Sequence, residues 1–159
     1  MLDLNSRSQT SEHVNAAIDA ARVATNQAAP PRSYLGGSRL GHACERALQF
    51  AFVKAPKDKG ADFDGRLLRI FGIGHALEDV AVAWLRGAGF DLYTRRGGGE
   101  HGEQFGFSVA GGRIRGHVDG VFAGGPTIPG MAFPALWECK TMNAKSWRET
   151  SSKGVAAAK

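Results

Sequence analysis

Cysteine is scarce in this chain, at two residues in 159. Cys44 and Cys139 stand far apart, too few for a disulfide framework and without the close Cys-x-x-Cys spacing of a zinc site. No stretch approaches the roughly 18 consecutive apolar residues that a membrane-spanning helix needs. Nor does the N-terminus, Met1-Leu2-Asp3-Leu4, follow a basic region with an apolar core, so no secretory signal is expected. Internal repeats and long single-sign charge runs are missing too, which excludes a solenoid and a basic tail. These absences point to a reducing, cytoplasmic setting and no membrane partner.

What is present is enough for one domain. Hydrophobic residues make up 43%, so a core can form, and 22 glycines promise many turns. The formal charge is +5 and the pI about 9.6, a balance suited to a polyanionic partner. The cations are spread in small clusters, among them Arg66-Arg69, Arg95-Arg96 and Arg113-Arg115.

Residues 1–32 read as peripheral, either a mobile leader or a docked helix. Thr10 or Ser11 can cap an Ala-rich helix from about Glu12 to Gln27, and Pro30-Pro31 breaks the chain after it. Ser38 can cap a short helix running to Phe52. The strongest helix pattern spans Arg66 to Arg86, with Ile70, Ile73, Leu77, Val80 and Trp84 at helical spacing as its packing stripe. Within it, His75 and Glu78 lie three apart on one face. Gly72 and Gly74 each weaken a helix by about 1 kcal/mol relative to Ala, an expense commonly offset by close packing or ligand access. Gly87-Ala88-Gly89 ends the helix.

Beyond it the period changes to two. Phe90–Arg95, Phe105–Ala110 and Arg113–Phe122 read as strands, the last two joined through a two-residue Gly111-Gly112 turn. On the third, Arg115, His117 and Asp119 share a face, and Gly120 leaves room for a close approach. A fourth strand carries Trp137-Glu138-Cys139-Lys140-Thr141, where Glu138 and Lys140 point one way and Trp137 and Cys139 the other. A carboxylate beside an ammonium in such a strand is a structural ion pair at a sheet edge, or it holds a cation and a phosphate. Asn143 to Glu149 reads as the start of a final helix. The fold class is α/β or α+β, a mixed sheet of about four strands flanked by helices. If the third and fourth strands are neighbours, Asp119 and Glu138 sit together, and such an all-oxygen set suits Mg2+ or Mn2+.

In this order the residues resemble the PD-(D/E)XK nuclease superfamily. Gly116-His117-Val118-Asp119 followed by Glu138-Cys139-Lys140 looks like its signature. Gly74-His75-Ala76-Leu77-Glu78 resembles the acidic helix motif of the RecB-like and phage exonuclease branches, and Ser38 to Arg46 is similar to their N-terminal motif. The likeness implies a restriction-endonuclease-like core over residues 33–159 and metal-dependent hydrolysis of DNA phosphodiesters, in phage recombination or DNA processing. Carried over by motif, Asp119 and Glu138 are metal ligands, Lys140 is the catalytic lysine, and Glu78 supports the metal or its water. His75 is a further candidate ligand, and Ser38, Arg46, Arg115 and Lys145 are candidate DNA contacts. A recombination partner protein or a homo-oligomer is implied as well. Two departures stand out. Cys44 matches the early cysteine of related iron–sulfur exonucleases, but the late cysteines are missing and no cluster is expected. Those families also continue past the lysine with a Gln- and Tyr-bearing helix and another strand, so the domain is expected to be incomplete at its C-terminus, and the runner-up function is an inactive nucleic-acid-binding module.

Overall fold

A computed structural model describes residues 9–98 and 102–155. Its described elements are α1 (Gln9–Ala28), β1 (Leu35–Gly36), α2 (Glu45–Phe52), α3 (Gly65–Gly87), β2 (Asp91–Tyr93), β3 (Gly106–Val109), β4 (Ile114–His117), β5 (Gly120–Gly124), β6 (Ala135–Trp137) and α4 (Ala144–Lys153). The mixed α/β character agrees with the sequence pattern. The single four-stranded sheet does not form. Six short strands make two three-stranded sheets, ordered β1-β4-β3 and β2-β5-β6.

The division falls inside the stretch expected to be one strand from Arg113 to Phe122. Val118 still donates its N–H to the Phe105 carbonyl at 3.0 Å, in line with the β3–β4 pairing. Two residues later Gly120 is opposite Trp137 in the other sheet. The chain changes sheets at Asp119, the usual way a strand turns a corner between two sheets. Gly120 is what lets it turn there. A Cβ on this buried residue would lie 2.8 Å from Leu92 Cδ1 and 3.0 Å from the Tyr93 carbonyl oxygen. The close approach expected at Gly120 is therefore made by strand β2 of the same chain.

The β3–β4 hairpin also differs in its turn. Register partners Val109 and Ile114 enclose four residues, not two. Ala110, Gly111 and Gly112 all adopt positive φ (+53°, +64° and +82°), and Gly112 N–H and Arg113 N–H close successive turns onto Val109 and Ala110. The glycines supply the left-handed backbone, as the sequence indicated, and Ala110 joins them.

Helix α3 begins where Asp64 Oδ1 accepts the Leu67 N–H at 2.7 Å, an ordinary N-cap, and it ends before Gly89 at φ +87°. Arg86 Nε reaches across to the Leu92 carbonyl at 3.0 Å and ties the helix end to β2. Helix α1 docks on the first turns of α3. Arg69 pairs with Asp19 at 2.8 Å and donates to Asn15 at 2.8 Å, and Gly65 has no Cβ that would collide with Asp19. The α2 helix starts at Glu45 and not at Ser38. Gly41 at φ +85° interrupts any helix from Ser38 onward, and Gly37–Arg39 is a separate 3-10 turn.

The core is small. Among the described residues only Leu68, Leu92 and Phe122 are buried hydrophobics, with the Phe90 ring 5.0 Å from that of Phe122. The α3 stripe assigned to the core, Ile70, Ile73, Leu77, Val80 and Trp84, is exposed. Spacing identified a continuous apolar face, but the less exposed side of the helix is the one carrying Leu68, Gly72, Gly74, Glu78, Ala81, Val82 and Leu85. No described helix is long and apolar enough to cross a membrane.

Backbone atoms cannot move aside as a flexible side chain can. Gly120→Ala is therefore expected to destabilise the fold by about 1–3 kcal/mol through overpacking. Gly87→Ala, whose Cβ meets nothing within 4 Å, should be neutral or stabilising by up to about 1 kcal/mol. Urea midpoints of the two variants measure the contrast.

Candidate active site

Three elements converge beside the point where the chain changes sheets. Strand β6 ends at Trp137, and the next free backbone N–H on that path, that of Cys139, donates to Asp119 Oδ2 at 2.7 Å. The carboxylate takes the place of a ladder partner and fixes the Glu138–Lys140 segment against the β4–β5 switch. From the other side comes α3. A Cβ on Gly74 would sit only 3.3 Å from Thr141 Oγ1, so the missing side chain at Gly74 lets the segment after β6 come close to the helix.

The resulting electrostatics divide the predicted residues into two sets. Glu78, with its side chain 28% exposed, has its carboxyl pushed above the usual carboxylate range by burial first and then by the Asp119 charge, with His75 acting in the opposite sense. His75 Nδ1 lies 3.9 Å from Glu78 Oε2 while most of its ring is in solvent. Glu78, Asp119 and His75 thus form one neighbourhood. Glu138 and Lys140 form the other, with Lys140 Nζ donating directly to Glu138 Oε1. That hydrogen bond is the main reason the Lys140 amine titrates above its usual range. The pair lies past the end of β6, outside the strand in which the sequence placed it, and both side chains are substantially exposed, so it contributes little to stability.

Cys139 lies between the two sets. The sequence reading turned it away from the acids, yet its thiol is raised by burial and then by Glu78 and Asp119, so it lies within their field. The strand ends at Trp137, and the alternation of a regular pleat does not extend to Cys139. A thiol held up in this way stays protonated at neutral pH and is a poor nucleophile.

Among the described residues no three His, Cys, Asp or Glu side chains come together as a group able to hold a metal ion. In kind, the donors still fit a hard divalent cation. The Asp119 charge adds to the cost of ionising Glu78, while the Lys140 ammonium also lies within the field of Asp119. Glu138 would have to leave Lys140 to join them.

A second feature adjoins this site. A cleft of about 500 Å³ opens over sheet β1-β4-β3, lined by Arg95, Arg96, Gln104, Phe107, Arg115 and His117 among others. The Arg115 guanidinium lies 5.1 Å from the centre of the Tyr34 ring, and that of Arg96 lies 6.0 Å from Phe105. Among the described residues Glu103 is the only acid in the lining, and none of the three arginines is in an ion pair. The cleft reaches His117, two residues before Asp119. Of the four expected DNA contacts, Arg115 alone lines this cleft. Ser38 is exposed in the Gly37–Arg39 turn, Arg46 in the first turn of α2 and Lys145 in the first turn of α4. Arg95 and Arg96 were visible only as a small charge cluster, because their alignment with Arg115 depends on the Arg95–Gln104 bridge and the β3–β4 pairing.

No family model, curated protein or solved structure matches the chain.

The raised Glu78 carboxyl has a measurable consequence. The folded chain binds that proton more tightly than the unfolded chain. Its contribution to stability therefore falls as pH rises from the ordinary carboxylate range through the raised value, then levels off. Glu78→Gln should remove this decline. The variant should gain stability relative to the parent at neutral pH, and the gain should vanish below the ordinary carboxylate range. Urea midpoints across a pH series measure it, and parallel curves for the two proteins would mean that Glu78 is not held in this field.

Proposed function

We propose that this chain is a metal-dependent DNA nuclease of the PD-(D/E)XK type, with a restriction-endonuclease-like core and an exonuclease-like role in phage recombination or DNA processing. One observation supports it above the others: the Asp119 carboxylate, from a distant strand, is hydrogen-bonded inside the Glu138-Cys139-Lys140 segment, with Glu78 electrostatically coupled to it. Residues separated by tens of positions meet in the order that the resemblance requires.

Under this reading Asp119, Glu78 and Glu138 hold Mg2+ or Mn2+, with His75 as an outer candidate. The ion, when bound, supplies Lewis-acid polarisation of the phosphate and a more acidic water. The chain's own residues do the rest. Lys140 is kept charged by Glu138, so it serves as a fixed cation toward phosphate oxygens and not as a base. Glu78 orients the attacking water. The Arg95, Arg96 and Arg115 cleft carries the DNA backbone toward Asp119, with Phe107 offering a face on which a base can stack.

A second reading, a nucleic-acid-binding module without turnover, is favoured by the direct Glu138–Lys140 pairing and by the lack of a three-donor group among the described residues. Cleavage of linear DNA separates the two. The parent protein with Mg2+ or Mn2+ should cleave, and Lys140→Ala should be slower by about a hundredfold or more. Equal cleavage by both proteins removes the catalytic assignment, and cleavage by neither favours the binding module.

Divalent ions should also raise the thermal midpoint of the parent protein but not of Asp119→Asn, which keeps an acceptor for the Cys139 N–H while losing the charge.

Both readings require the cleft. Replacing Arg95, Arg96 or Arg115 by Ala should weaken binding to DNA of any sequence, and each replacement should lower the slope of log affinity against log salt by about one. Fluorescence anisotropy across a salt series measures it.

A further inference from the structure

The exposed stripe on α3 has a spacing of its own. Ile70, Ile73, Leu77, Val80 and Trp84 follow one another at intervals of three, four, three and four, the a/d alternation of a coiled-coil seam over two heptads. Their exposures run from 40% to 74%, so the chain itself does not cover them. The positions flanking the seam are Arg69, whose charge is paired with Asp19 of α1, Gly74, which faces Thr141, and Ala76, Ala81 and Ala83. The three alanines are small and uncharged, so they let a facing helix come close without repelling an identical one. His75, Glu78 and Val82 lie on other sides of α3, and α1 is held through Gly65, Arg69 and Gly72, alongside the first turn of the seam.

We propose that α3 packs along this stripe against α3 of a second copy of the chain. The areas are sufficient. At those exposures the five side chains present roughly 600 Å² per copy, which over two copies reaches the lower end of the roughly 1,200–2,000 Å² buried in specific interfaces. Two-fold symmetry makes such a contact self-complementary. With the stripes fully overlapped, Leu77 at their middle meets its own copy whichever way the helices run, and the Glu78–Asp119 side of α3 stays open. The proposal does not depend on the nuclease reading.

Sedimentation equilibrium of the full chain is expected to show a dimer. The double substitution Ile73→Glu, Leu77→Glu should raise the dissociation constant at least a hundredfold, with the far-ultraviolet circular dichroism of the parent retained. As a check that does not rely on tolerating buried charge, Leu77→Cys in a Cys44→Ser, Cys139→Ser background should form a covalent dimer on mild oxidation. A monomer at concentrations up to roughly 100 μM would mean that something other than a second copy covers the stripe, and would overturn the proposal. So would a dimer untouched by the double substitution, or a Leu77→Cys chain that does not cross-link.

Discussion

A single hydrogen bond, from the Cys139 backbone N–H to Asp119 Oδ2, ties the parts of this molecule together. It joins the residue at which the chain leaves one sheet to the segment that runs off the edge of the other. Without it, the Glu138–Lys140 stretch would extend from β6 with no partner for its backbone, and a part-buried carboxylate at the corner would lack a donor. Both groups are satisfied by one contact, and the same contact sets where Glu138 and Lys140 project. The bond is charge-assisted, which makes it stronger than a neutral one.

Around that bond the charges are sorted. The Asp119 charge, after burial, raises the cost of ionising Glu78 on the helix. Glu138 is already satisfied by Lys140. The arginines collect on the other sheet, where β3 and β4 bring Arg115 alongside Arg95 and Arg96. The cleft reaches toward the acids through His117, because His117 and Asp119 are two residues apart on one path of the chain. The basic excess of the composition is thus partly gathered in one place, next to a local excess of acid.

Helix α3 serves several neighbours at once. Its first turns receive α1, its middle carries His75 and Glu78, and its end is bound to β2 through Arg86. Glycines at 65, 72 and 74 mark where other parts of the chain come close. The bulky apolar residues lie on a face that none of these neighbours covers. This accounts for part of the shortage of buried side chains in a chain with abundant hydrophobic residues, and Phe50, Phe63, Phe107 and Trp147 are exposed elsewhere.

Local chemistry alone determined a good deal here. Asp64, the apolar period and Gly89 define α3 because a cap, a repeat and a left-handed stop act within a few residues. Asn143 defines the start of α4 in the same way, and Gly111 and Gly112 mark the β3–β4 turn. Glu138 and Lys140 were legible as a pair because two long, oppositely charged side chains two residues apart can reach each other even where, as here, neither lies in a strand. Only the tertiary structure decided the rest. The break at Asp119 is invisible in an alternating pattern, since it arises when Gly120 yields to β2 and Trp137. The Cys139 thiol lies within the field of Glu78 and Asp119, in a segment where the regular pleat has already ended at Trp137. The seam on α3 looked like core because periodicity reports that a face is apolar, while what covers that face depends on partners distant in sequence.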